Sequence, residues 1–335
     1  MRSAIWGTGH YVPDKVVTNA DLGKLIPGVE EWIESRSGIR ERRYVDLAHD
    51  PALDGAEMGA RAAKQALEMA GLTIDDIDFV IWGTLSPDKL FPGNSAFGGP
   101  KLGLKPGTPA MDIRNQCSFF IYALTMADAL IKAGTYRRIL VIGSEIHSTA
   151  LDFSERGKDV AVLFGDGAGA IVMGPAQNDT QGLLATDLHS DGKYAGELML
   201  PAGSATPGVW MTEEVIARGG HFPRMNGKLV FKHAVTKMPV SVRATLEKAG
   251  ATLADVDLFI SHQANLRIVE YVQKSLELPD DKIYNNIQRY GNTTAASIPI
   301  ALDESVRAGK LKRGQLLCVA AFGAGFTWGS ALLRF

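Results

Sequence analysis

Apolar residues in this chain follow two rhythms. In GAEMGARAAKQALEMAG, Gly55 to Gly71, they return every three or four positions, as on one face of a helix. The runs IDFVIWGT, VDLFIS and AVLFG are short, nearly continuous and rich in β-branched residues, as in strands buried on both faces. Their alternation predicts α/β layers with mostly parallel central sheets. Gly314 to Leu333 runs twenty residues without a charge, past the length of roughly 18 that flags a membrane span. Gly323, Gly325 and Gly329 interrupt it, so GQLLCVA and FTWGSALL read instead as two buried strands joined by a glycine turn.

The rhythm also repeats. AGLTIDDIDFVI, Ala70 to Ile81, lies without a gap on AGATLADVDLFI, Ala249 to Ile260, at a constant offset of 179. The run from Cys117 to Ala133-Gly134 matches in length the run from Asn292 to Ala308-Gly309, and each leads into a strand, RRILVIGS or GQLLCVAA. One α/β unit used twice is expected, as halves 1–174 and 175–335, with PAQNDTQG, Pro175 to Gly182, as the connecting loop. On that register Cys117 and Asn292 are equivalent, each opening a helix. His262 follows VDLFIS at the end of its strand, where open α/β sheets bind ligands. The Gly- and Pro-rich stretch from Asp191 to Lys228 leaves the pattern and is expected to form a lid or binding loop.

Charge narrows the choice of partners. Among 335 residues, 35 Lys and Arg nearly balance 37 Asp and Glu, so bulk electrostatics offer no reason to expect nucleic acid or an anionic membrane. Two cysteines cannot form a disulfide framework, and MRSAIWGTGHYVP lacks the apolar core of a secretory signal; a cytoplasmic setting with free thiols is expected. No Cys, His and carboxylate cluster has metal-ligand spacing, so no metal is expected. The glycines of FGDGAGA, Phe164 to Ala170, fit neither a dinucleotide fingerprint nor a phosphate loop, and read as a tight structural turn.

Cys117 lies in NQCSFFIY. A free cysteine is most often inert packing, and Cys318 fits that description. Cys117 differs by opening a helix, where unpaired N–H groups and the helix dipole favour thiolate. Taken singly, His262 reads as a structural histidine and Asn292 as a helix N-cap. The order Cys, His, Asn is also that of papain-like thiol proteases, but NQCSFF lacks their C-G-S-C-W surround and the doubled α/β pattern has no place in that fold.

Together these residues resemble the β-ketoacyl-acyl carrier protein synthase III family of the thiolase superfamily. NADL, EWIESRSGIRER, the cysteine helix, FGDGAGA, HQANLRI, YGNTTAASIP and FGAGFTWGSALLRF carry the likeness over nearly the whole chain. The resemblance implies a thiolase-like α-β-α-β-α fold and a Cys117, His262, Asn292 condensing enzyme without cofactor, which joins an acyl-CoA primer to malonyl-acyl carrier protein. It further implies an oxyanion hole from the backbone N–H groups of Cys117 and Ala324. Trp32, Arg36, Arg156 and Asn265 would line the coenzyme A entrance, with Arg267 near the carrier-protein docking site. A homodimer is implied in which Phe91 limits the partner subunit's acyl pocket. The family usually has glycine where this chain has Phe119, so that ring is expected to fill the acyl pocket beside Cys117. Work in fatty acid or polyketide biosynthesis follows, or a specialised secondary-metabolite acyl transfer. An inactive partner subunit is the remaining reading, though such chains typically lose a member of the triad.

Overall fold

The computed structural model describes residues 2–203 and 210–335; positions 204–209 of the expected lid lie outside the described residues. Two sheets sandwich a pair of helices. The five-stranded sheet runs Ser3–Tyr11, Gly167–Pro175, Ile139–Glu145, Phe79–Gly83, Ala110–Ile113 in spatial order, and the four-stranded sheet Leu258–Ser261, Leu316–Gly323, Thr327–Arg334, Gly182–Ser190. Helices Phe119–Lys132 and Ser297–Arg307 lie between them. Helix Gly55–Ala70 covers the outer face of the first sheet, and helices Gly227–Ala249 and Leu266–Leu276 that of the second.

Strand alternation builds these layers. In Phe79–Gly83, Phe79 and Ile81 enter the central core with Phe120, Leu124 and Ile298, while Val80 and Trp82 pack outward against the Ala-rich helix. In Leu316–Gly323, Leu317, Val319 and Ala321 point inward, and Cys318 falls on the outward set with Leu316 and Phe322. The inert reading of Cys318 thus has a cause in the two-residue period of a strand. The glycine turn after Gly323 joins two antiparallel strands as expected.

The repeat has a physical basis in matching caps. Thr73 and Thr252 each close a capping box with an aspartate three residues on, Asp76 and Asp255, before the strands Phe79–Gly83 and Leu258–Ser261. Three readings need correction. Antiparallel pairings outnumber parallel ones in the two sheets: Leu316–Gly323 and Thr327–Arg334 are joined by a short reversal, and the first strands of the two halves, Ser3–Tyr11 and Gly182–Ser190, run antiparallel to their neighbours at the sheet edges. AVLFG is no strand: Ala161 ends a helical turn and only Phe164 pairs, by one parallel bridge to Asn292. FGDGAGA is a turn only as far as Asp166, since Gly167 already begins a strand.

A fourth correction concerns register. Gln116 and Thr294 both hold left-handed backbone, φ 42° and 39°, and each starts a 3-10 turn, Gln116–Ser118 or Thr294–Ala296, that runs into an α-helix. Cys117 is therefore matched by Ala295, three residues beyond Asn292. The second helix is three residues shorter, 11 against 14, and an equal overall run concealed the shift.

Candidate active site

Cys117 is held by a strained turn. Gln116 accepts a conformation that costs a non-glycine residue of order 1–3 kcal/mol, and this lifts Cys117 ahead of helix Phe119–Lys132. Ser118 Oγ lies 3.0 Å from Asn115 O and shares a 2.6 Å hydrogen bond with Thr327 Oγ1, which lies 3.0 Å from Ala324 O, so that one hydroxyl donates to its carbonyl and the other donates across to its neighbour. The cysteine turn is thereby tied to the glycine turn of the other half. Gly323 permits the approach: a Cβ there would meet Cys117 Cβ at 2.5 Å.

The thiol accepts hydrogen bonds from the backbone N–H groups of Ala324 and of Cys117 itself, the two donors expected at an oxyanion hole. The resting sulfur is nonetheless not a thiolate. Burial, and then the nearby Glu145 carboxylate, push the thiol up to about 12. The helix-start argument for a thiolate fails here because the sulfur is buried and an anion is close.

His262 follows strand Leu258–Ser261 as expected. Its Nδ1 shares a 2.6 Å hydrogen bond with Ser297 Oγ, and its buried Nε2 has no partner among the described residues. Burial pushes the imidazole down to about 3, so it is neutral near pH 7. Asn292 is placed by pairing, not by a helix: its N–H donates to Leu163 O at 2.8 Å, and its carbonyl accepts from Gly165 N at 3.1 Å. Asn292 Oδ1 accepts the Thr294 N–H at 2.9 Å, which leaves the amide nitrogen for the cavity. Cys117, His262, Asn292, Gly323 and Ala324 all border one cavity of about 700 Å³.

The remaining expected residues divide. Asn265 reaches this cavity, but its side chain caps helix Leu266–Leu276, accepting from Arg267 N at 2.9 Å and donating to Arg36 O at 3.1 Å. Arg267 donates to Ser35 O at 2.8 Å, and Arg36 lies 4.6 Å over the Trp32 ring. Arg156 pairs with Asp152 at 2.6 Å in a neighbouring cavity that shares Met199, Pro223 and Met225 with the first. Phe91 is 85% exposed and stands off the cavity wall. Phe119 requires correction: its ring is fully buried over Gly83, where any Cβ would collide with it, and forms no part of the cavity wall. Glycine on the facing strand made room for a ring that sequence alone pointed toward the thiol.

Two family models match the chain: 3-oxoacyl-(acyl-carrier-protein) synthase III over residues 111–192 and its C-terminal counterpart over 246–335. A β-ketoacyl-(acyl-carrier-protein) synthase III of Xanthomonas campestris is 44% identical over 99% of this chain and 98% of its own. The chain belongs to the β-ketoacyl-acyl carrier protein synthase III family. The crystal structure of the family's Aquifex aeolicus enzyme superposes with a TM-score of 0.89 at 41% identity, covering 99% of this chain and 100% of that one. The priming β-ketosynthase of a polyketide biosynthetic pathway gives 0.88 at 32% identity, over 99% and 96% of the two chains.

Within this synthase III site lie groups that the motifs did not reveal. Glu145 is fully buried and accepts from Leu85 N at 2.9 Å, Ser86 Oγ at 2.7 Å and Ala295 N at 3.2 Å. His147 shares a 2.8 Å hydrogen bond with Thr294 and packs at a tilt against the Phe164 ring. Their one sequence signal is a set of polar residues, SEIHS, closing an otherwise apolar strand. Among the described residues no group of three or more His, Cys, Asp and Glu could hold a metal ion, and no helix is long and apolar enough to cross a membrane.

Proposed function

We propose that this chain catalyses decarboxylative Claisen condensation of an acyl-CoA primer with malonyl-acyl carrier protein. The observation that carries the reading is that Cys117 Sγ receives two backbone N–H bonds while facing the same cavity as His262 Nε2 and Asn292. The sulfur adds to the acyl carbonyl, whose oxygen takes over the Cys117 and Ala324 donors; the coenzyme A thiolate leaves, and the thiol proton goes with it. Malonyl-carrier protein follows. His262 and Asn292 donate to its thioester carbonyl, carbon dioxide departs, and the resulting enolate carbon attacks the acyl-cysteine to release a β-ketoacyl thioester.

Chain halves 1–174 and 175–335 divide this work, the first supplying the nucleophile and the second the enolate donors. Trp32, Arg36, Arg156 and Asn265 serve coenzyme A, and Arg267 the acidic carrier protein; their clustering around helices Glu30–Ser37 and Leu266–Leu276 and the second cavity supports this. Strand Ala110–Ile113 leaves a sheet edge unpaired, and Leu90 and Phe91 are exposed. Both features support a homodimer.

Incubation with acyl-CoA donors followed by peptide mass analysis tests the first step. An acyl group on Cys117 is expected; none with any coenzyme A or carrier-protein donor removes the basis of the reading. Replacing His262 or Asn292 by alanine is expected to suppress malonyl decarboxylation while sparing much of the self-acylation. Equal loss of both would refute this division. Acylation without any release of carbon dioxide from malonyl thioesters would make simple acyl transfer the activity.

A further inference from the structure

A buried carboxylate stands between the two halves of the site. Glu145 ends strand Ile139–Glu145 with no exposure, and its one ionic contact among the described residues is His147 Nε2 at 3.8 Å, beyond hydrogen-bond range. Neutral donors hold it instead. Oε1 accepts from Leu85 N at 2.9 Å and Ala295 N at 3.2 Å; Oε2 accepts from Ser86 N at 3.1 Å, Ser86 Oγ at 2.7 Å and Thr84 Oγ1 at 3.2 Å. Most of these donors belong to the loop Thr84 to Ser86 beside its own strand, while Ala295 is reached across the site. Apolar residues could join the same elements without burying a charge, so the carboxylate calls for another reason.

The far donor belongs to the turn that sets Asn292. Turn Thr294–Ala296 starts from left-handed backbone at Thr294, φ 39°, a conformation that persists only where its surroundings impose it. Three residues of the first half do so. Gly143 lies so close that a Cβ there would meet Ala295 O at 2.5 Å, Glu145 takes the Ala295 N–H, and His147 Nε2 shares a 2.8 Å hydrogen bond with Thr294 Oγ1. Gly143, Glu145 and His147 are alternate positions along the strand and its continuation, so all three face the turn. His147 is itself anchored, its N–H donating to Asp166 Oδ1 at 2.7 Å. From the turn so held, the Thr294 N–H donates to Asn292 Oδ1 at 2.9 Å. An amide has one accepting end and one donating end, so with Oδ1 taken the donating end is left for the cavity. Were the turn to move, the amide could rotate and offer an oxygen to an incoming carbonyl.

We propose, resting on the condensing reading above, that Glu145 and His147 are positioning residues for the malonyl step, holding turn Thr294–Ala296 so that the Asn292 amide turns its N–H groups toward the thioester carbonyl. They act on the second step because Asn292 does. Neither touches substrate, and neither takes up a proton. Removing the Glu145 charge also removes the anion that opposes a Cys117 thiolate, so self-acylation does not fall in step with decarboxylation.

The test is Glu145→Gln, which keeps the shape but turns an amide N–H toward donors that need an acceptor. Acyl-enzyme is first formed from whichever of acetyl-, butyryl- and octanoyl-CoA labels Cys117, and release of carbon dioxide from labelled malonyl-acyl carrier protein is then followed. The kcat of release is expected to fall about tenfold or more, the scale of a hydrogen bond to a charged group, with KM for the carrier protein little changed, as when a contact made in the transition state is lost. Self-acylation, read by peptide mass, is expected to fall less. Added to Asn292→Ala, Glu145→Gln is expected to slow release by far less than it does alone, since residues acting through one another are not additive. His147→Phe keeps a ring against Phe164 and loses the Thr294 bond; its kcat is expected to fall about threefold or more. It serves as the test should Glu145→Gln not fold, thermal denaturation deciding. Equal loss of both steps, an unchanged kcat in either folded variant, or fully additive losses with Asn292→Ala overturns the proposal and leaves the condensing activity intact. No acyl-Cys117 in the parent enzyme from any donor overturns the condensing reading and this proposal with it.

Discussion

Cys117, His262 and Ser297 show how strongly surroundings decide what a residue can do. A thiol pushed up to about 12 by burial and Glu145 is a poor nucleophile until substrate reorganises its hydrogen bonds. Iodoacetamide alkylation of the free enzyme is therefore expected to quicken with pH from roughly pH 7 to roughly pH 10 without levelling, because only the thiolate reacts. A plateau below that range would mean that the backbone donors outweigh burial. For His262, when the Ser297 hydroxyl donates to Nδ1, the ring proton stands on Nε2 and faces the cavity. With Nε2 required as a donor, Ser297→Ala is expected to slow malonyl decarboxylation about tenfold or more, the range of one general acid–base contact, and to slow self-acylation less. Equal slowing would reduce Ser297 to packing. His262 was visible as a candidate in HQAN and Asn292 in GNTTAAS, but Ser297 was not singled out, and neither the orphaned Nε2 nor the partner on Nδ1 could be read there, since the pair lies 35 residues apart.

At the level of elements, hydrophobic period located the strands and helices well where both faces are buried, as in Phe79–Gly83 and Leu316–Gly323. It failed at AVLFG, where apolar residues serve a helical turn and a single bridge. It also misplaced Phe119, because the deciding residue, Gly83, stands on a strand 36 positions earlier. Phe119→Gly is accordingly expected to cost about 3–5 kcal/mol from the emptied core, with roughly 1 more for glycine in a helix, while leaving the ratio of kcat/KM between long and short primers unmoved. Chemical denaturation and a primer series check both halves of that statement; a shifted ratio would return the ring to the acyl pocket. The turn after strand Leu316–Gly323 is tighter still. Gly323→Ala sets a methyl against Cys117 Cβ, so the acylation rate is expected to drop by about a hundredfold or more, as when an oxyanion donor is displaced. Single-turnover acylation would measure it.

For the molecule as a whole, burying a neutral histidine links stability to pH. His262 is held at about 3 against an ordinary 6.5, so between those values the unfolded chain binds a proton that the folded chain does not. Stability therefore falls as pH drops through that window. The decline in Tm from about pH 7 to about pH 5 is expected to be smaller in His262→Asn than in the parent, and an equal decline would assign acid sensitivity to other groups. The internal repeat was legible because Thr73–Asp76 and Thr252–Asp255 are local caps that sequence writes out in full. The three-residue shift between the helices was not, since equal loop-to-helix lengths hid it. That shift bears on descent. If the halves arose by duplication, Ala295 stands where the other copy keeps its nucleophile, and its N–H, instead of being free to polarise a substrate oxygen, is spent on the Glu145 carboxylate at 3.2 Å. The ancestral symmetry has been broken electrostatically as well as in side chain. A cysteine restored there would inherit the position with its neighbouring backbone N–H already committed to an anion.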